Sequence, residues 1–228
     1  MAREWFGRIP SEPDDRDWPA MPLTSVEPDR DWRYWWDLGW WGDQGATPKC
    51  VGYAWTHVLA DGPKTGLHER WPDARDAAEV AEAIYCVGQR HDPWPGDCTD
   101  PQYDGTTVRA ALKGLKEAGL IREYRWAGDV DEVVRLLLVH GPVVVGSRWP
   151  DGFMEPDGNG RIRYTDDGAY GHAYVVNGVN TGRGVVRVKN SWGRGWGDAG
   201  RAWLSIDDLD RLLAEPHAEA AVVIKAGR

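Results

Sequence analysis

Apolar positions change their spacing once along the chain, near Pro142. Ahead of it they recur at helical intervals, and behind it they fall into short β-branched runs. Residues 47–60 predict a helix, with Thr47 placed to cap it and Pro48 suited to its first position; Asp61-Gly62-Pro63 stops it. Further helical patterns run from 74 to 87, from 107 to 117 after Asp104-Gly105, and from 130 to 139 before Gly141-Pro142. Beyond Pro142, strands are predicted at Val143-Val144-Val145, Tyr174-Val175-Val176, Val185-Val186-Arg187-Val188 and Ala202-Trp203-Leu204, with Gly146, Gly158, Gly160, Gly178, Gly182 and Gly184 as turns or bulges. Helices followed by strands predict an α+β chain with a helical lobe and a sheet lobe.

Composition sets the scale. The 228 residues are 42% hydrophobic, enough for one sizeable core or two small lobes sharing an interface. A formal charge of -9 leaves no broad basic surface to neutralise a phosphate backbone, so no nucleic-acid partner is expected, and basic or neutral partners are favoured. The Trp- and Tyr-rich stretch at 32–41 reads as a loop burying its own aromatics, with a substrate-facing aromatic wall as the alternative. No apolar run has the length of a signal peptide or membrane span, so the expectation is a soluble, unsecreted, cytoplasmic chain that is a monomer without membrane partners.

Three cysteines are too few for a disulfide scaffold, and the odd count leaves at least one free thiol. Cys50 falls in the first turn of its predicted helix, where orphan N–H groups and the helix dipole favour an anion. Read alone, such a cysteine is more often a small buried hydrophobe. Cys86 and Cys98 are expected to be free structural thiols, with a bridge between them, or a metal site shared with His91, as alternatives. No metal or cofactor is expected.

Asp43-Gln44-Gly45, Cys50 six residues beyond Gln44, and Tyr53-Ala54 resemble the nucleophile segment of papain-like cysteine peptidases. Gly171-His172-Ala173-Tyr174-Val175-Val176-Asn177-Gly178 resembles that family's histidine strand, and residues 189–197, KNSWGRGWG, resemble its asparagine segment. Gly141-Pro142-Val143-Val144-Val145 resembles the strand that enters its sheet lobe, so the resemblance covers roughly residues 10–205. The intervals from Cys50, 172 − 50 = 122 and 190 − 50 = 140, are close to the family's roughly 130–150.

The resemblance implies a two-lobe fold, a helical lobe and an antiparallel, barrel-like sheet lobe with a cleft between them. It implies a single catalytic domain over 1–228, with roughly 19–127 as the helical lobe carrying Cys50, roughly 128–215 as the sheet lobe carrying His172 and Asn190, and the termini crossing between the lobes. It further implies a peptidase acting on a peptide or protein: Cys50 as nucleophile, His172 as base and acid, Asn190 orienting the imidazole, and Gln44 with the Cys50 N–H as oxyanion hole. Gly105, Thr106, Ala173 and Trp192 are the implied substrate contacts. The departures are Val51 where the family usually has Trp, Pro48-Lys49 before the nucleophile, and Thr47 where many relatives carry a disulfide cysteine. Loss of that bridge fits a reducing compartment, and a pattern that begins at Ile9-Pro10 argues against control by propeptide cleavage. Two other functions use the same residues: acyl transfer to a peptide amine, and a catalytically weak peptide-binding module.

Overall fold

A computed structural model describes residues 7–15, 17–20, 27–35, 40–61, 74–101, 103–168 and 170–226. In chain order its elements are β1 (Arg8–Ile9), β2 (Trp32–Tyr34), α1 (Cys50–Asp61), α2 (Ala74–His91), β3 (Gly96–Asp97), β4 (Asp100–Pro101), β5 (Thr106–Thr107), α3 (Val108–Glu117), β6 (Ile121–Ala127) and α4 (Val130–Val139). There follow β7 (Val143–Trp149), β8 (Tyr170–Asn180), β9 (Val185–Lys189), β10 (Arg201–Ser205), α5 (Ile206–Leu213) and β11 (Glu219–Ala226).

Helix α1 is buried at every position except Tyr53, as befits a lobe's central helix, and its polar Thr56, His57 and Asp61 are each bonded within the interior. Its start differs from the sequence expectation. The Lys49 carbonyl accepts from Tyr53 N at 3.1 Å, which makes Lys49 the capping position and Cys50 the first helical residue. Thr47 does not cap; its hydroxyl donates to the Gln44 carbonyl at 2.5 Å. The Gly62-Pro63 stop lies outside the described residues. Glycine lets the helices approach: a Cβ on Gly52 would sit 2.2 Å from Ala81 O on α2. Helix α4 begins where the sequence predicts and α3 one residue later, with the side chains of Asp129 and Thr107 accepting from Glu132 N and Ala110 N as caps.

The sheet lobe is a seven-stranded sheet in the order β10-β9-β8-β7-β11-β6, with β2 also pairing β8, and every pairing is antiparallel. β11 enters between β7 and β6, although the predicted strands stop before it, and β6 joins this sheet from residues 121–127. The aromatic stretch is divided. Trp32 is a strand residue left 55% exposed, against the expectation of a self-burying loop, whereas Trp40 stacks on Tyr53 and lies 4.6 Å from the His57 ring. Trp36 and Gly39 lie outside the described residues.

Cys86 and Cys98 form a disulfide, correcting the expectation of free thiols. The α2 terminus and the β3–β4 hairpin bring their Cα atoms to 5.0 Å, a proximity that a separation of 12 residues does not announce. No helix among the described residues is long and apolar enough to cross a membrane. Among those residues no group of three or more His, Cys, Asp or Glu could hold a metal ion.

Candidate active site

Cys50 opens α1 and is fully buried, its sulfur accepting from Ala173 N at 3.4 Å. Ala173 follows His172 on β8, so that contact sets the thiol against the histidine's own strand. His172 Nε2 donates to Asn190 Oδ1 at 2.9 Å, and the same oxygen accepts from Ser191 N at 2.8 Å. β8 and β9 run antiparallel as neighbours, and Asn190 follows the last residue of β9. Pairing within one sheet therefore fixes the imidazole relative to its amide partner.

Gln44 is joined to this turn by a short stretch of pairing between residues 42–44 and 191–193. Gln44 N donates to Ser191 O at 2.9 Å and Gly193 N to Gly42 O at 3.1 Å. Its side chain is held at both ends: Oε1 accepts from Ser191 Oγ at 2.6 Å, and Nε2 donates to Thr47 O at 2.8 Å. The amide nitrogen thus lies against the turn that leads into Cys50.

Aromatic rings enclose the imidazole. Trp192 lies 5.5 Å from it between centroids, and Trp149 approaches edge-on at 4.6 Å. Trp149, buried at the end of β7, was not among the residues the sequence singles out. Its signal would have been the strand register, which sets Ser147 opposite His172 and brings the end of β7 to the same place. Behind the site Lys189, the residue before Asn190, forms a fully buried ion pair with Asp61 at the end of α1, tying the helix of Cys50 to the strand that leads into Asn190.

Gly105 and Thr106, expected to hold substrate, hold the chain's own first strand. β1 pairs in parallel with β5, Thr106 N donates to Gly7 O at 2.9 Å, and the Thr106 hydroxyl turns inward to Asp92 at 2.6 Å. The same segment touches the sheet lobe, where a Cβ on Gly171 would lie 2.4 Å from Arg8 O, and the helical lobe again at Pro48, whose O would lie 2.0 Å from a Cβ on Gly7. Arg8 is anchored by a buried ion pair with Glu219 at 2.9 Å. Residues 7–9 therefore bridge both lobes next to the segments that carry Cys50 and His172, with the Arg8 charge acting on the thiol.

Burial decides the electrostatics. Burial pushes the Cys50 thiol up to about 12, although the Ala173 N–H and the nearby Arg8 cation pull it down. The helix start alone predicts the opposite direction; desolvation outweighs it in this closed arrangement. His57, also fully buried, is pushed well below the ordinary imidazole value by burial and then by the Lys189 charge.

No protein-family model matches the chain. One curated relative, named a cysteine protease, from Blomia tropicalis, is 30% identical over 92 residues, which take in 36% of this chain and only 26% of that protein. Among solved structures, xylellain, a cysteine protease from Xylella fastidiosa, superposes with a TM-score of 0.69 at 19% identity, over 98% of this chain and 96% of that one. Digestive procathepsin L 3 of Tenebrio molitor gives 0.60 at 15% identity, covering 96% and 75%. The ragweed pollen cysteine protease Amb a 11, in its proform, gives 0.57 at 16%, covering 88% and 67%. The fold is that of papain-like cysteine proteases.

Proposed function

We propose that this chain is a papain-like cysteine peptidase that hydrolyses peptide or protein substrates through a thioester on Cys50. The observation that carries the reading is the single place where the sulfur, at a helix start, meets the strand of a histidine bonded to an asparagine at 2.9 Å. With Nε2 committed to Asn190, Nδ1 is the nitrogen that takes the thiol proton. The resulting imidazolium stabilises the thiolate by charge pairing. The sulfur attacks the substrate carbonyl, and the oxyanion that forms receives hydrogen bonds from the Cys50 N–H and Gln44 Nε2. His172 then protonates the leaving amine, and the thioester is hydrolysed by water with the same imidazole as base. A neutral amide at 190 orients the ring without making it too basic to release its proton.

The ion pair requires the thiol to be less desolvated than it is beneath residues 7–9, so turnover follows displacement of that segment. The test is hydrolysis of a peptide library by the wild-type chain and by a Gly7→Val chain, in which the added side chain clashes with Pro48. Products with new carboxyl termini that vanish on adding Cys50→Ala or His172→Ala support the reading. Hydrolysis surviving in Cys50→Ala, or none in either parent chain, refutes it.

A further inference from the structure

A cavity of about 1000 Å³ opens beside Trp192, between the loop of residues 154–160 and the turn of residues 195–198. Its floor is indole. Trp192 and Trp196 are buried, with ring centroids 6.1 Å apart in an edge-on arrangement, and Trp203 forms one wall. Trp196 Nε1 donates to Met154 O at 3.0 Å, which fastens the loop to that floor. Among the described residues three carboxylates line the cavity, Glu155, Asp157 and Asp198, and no lysine or arginine does. Asp157 is partly committed: its Oδ1 accepts from Asn159 N and Arg161 N, each at 2.9 Å, and its Oδ2 lies 3.6 Å from Arg163. Glu155 and Asp198 stand exposed on the rim.

Aromatic faces beneath carboxylates suit one kind of group, a cation on an apolar stem. The stem lies along the indoles, the cation is attracted to their faces, and the charge meets the carboxylates at the mouth. An anionic group is repelled, and a neutral apolar one gains nothing from the rim. Position identifies where that group comes from. The imidazole protonates the leaving amine, so the departing segment passes on the His172 side of the thiol, and Trp192 is the wall against His172 there.

We propose that this cavity is a specificity pocket for a lysine or arginine side chain in the leaving segment of the substrate, an inference that rests on the peptidase reading above. The net charge of -9 adds a general attraction for basic segments.

The experiment compares cleavage of peptides carrying Lys, Arg, Ala or Glu at successive positions after the scissile bond, using the Gly7→Val chain with and without Glu155→Gln and Asp198→Asn. At one position Lys and Arg should exceed Ala by about five- to tenfold in kcat/KM, with Glu below Ala. That ratio should fall towards parity in the double substitution. Cleavage with no basic preference, or with one the double substitution leaves intact, overturns the proposal. Where no peptide is cut at all, the peptidase reading fails, and binding decides the pocket separately. Tryptophan fluorescence of the Gly7→Val/Cys50→Ala chain is titrated with a lysine peptide and its norleucine counterpart. Tighter lysine binding that depends on Glu155 and Asp198 sustains the pocket, and equal binding overturns it.

Discussion

Gly7 is the position at which the seal over Cys50 can be broken without touching the candidate catalytic residues. Its φ of +90° is one that side chains rarely adopt, and a Cβ there would lie 2.0 Å from the Pro48 carbonyl oxygen, a backbone atom that cannot rotate away. Gly7→Val should expel residues 7–9 and return the thiol to water. At pH 8 a thiol held at about 12 is ionised to roughly one part in 10⁴, whereas an ordinary thiol near 8.5 is about one quarter thiolate. The gain in thiolate is therefore about 10³-fold. A thiolate of lower pKa is the weaker nucleophile by about 0.4–0.5 decade per unit, which removes roughly 1.6 decades. The net expectation is alkylation by iodoacetamide about 50- to 100-fold faster in Gly7→Val, before any gain from access. Intact-mass measurement of the labelling rate reads this directly, with Cys50→Ala as the blank. A Gly7→Val chain that stays folded by circular dichroism yet labels at the wild-type rate would show that the segment does not control the thiol.

Gln44→Ala should lower kcat by about 10²-fold, roughly 3 kcal/mol for one oxyanion donor, and change KM little; steady-state kinetics showing the reverse split would remove Gln44 from that role. His57 gives a pH signature. Its folded pKa lies well below 6.5, so between the two values the unfolded chain binds the extra proton. The stability present above pH 6.5 is then lost as pH falls, by up to about 1.4 kcal/mol per unit. Urea titrations across that range should show the slope in wild type and a shallower one in His57→Gln. Replacing Cys86 and Cys98 by Ser should cost about 2–4 kcal/mol in denaturant melts, since the bridge closes a loop of separation 12; unchanged stability would mean the reduced chain keeps the hairpin docked.

What the sequence revealed and what it hid divide along sequence distance. Helix α4 is legible to the residue because its apolar spacing and the Gly141-Pro142 that follows it are local signals, and the structure adds the Asp129 cap at its start. The position of Cys50 at a helix start is equally local, although the cap falls at Lys49 rather than Thr47. β11 was missed because its place between β7 and β6 is decided by partners far back in the chain rather than by its own pattern. The residue pairing of β1 with β5 spans two positions on each side, too short for any periodicity, and with it went the sign of the Cys50 shift. The Cys86–Cys98 bridge, set by the meeting of a helix end and a hairpin, also removes support for a reducing surrounding, because such a bond persists where the environment is oxidising.

The strand at residues 8–9 pairs with residues 106–107 of its own polypeptide. A tethered occupant is present at a fixed effective concentration, so dilution never removes it. Any peptide that had to displace it from residues 106–107 would meet an affinity scaled down by the fraction of time that edge is free, and whatever favours the displaced form, a partner that captures residues 7–9 or a cut that frees them, would raise apparent affinity by that same factor.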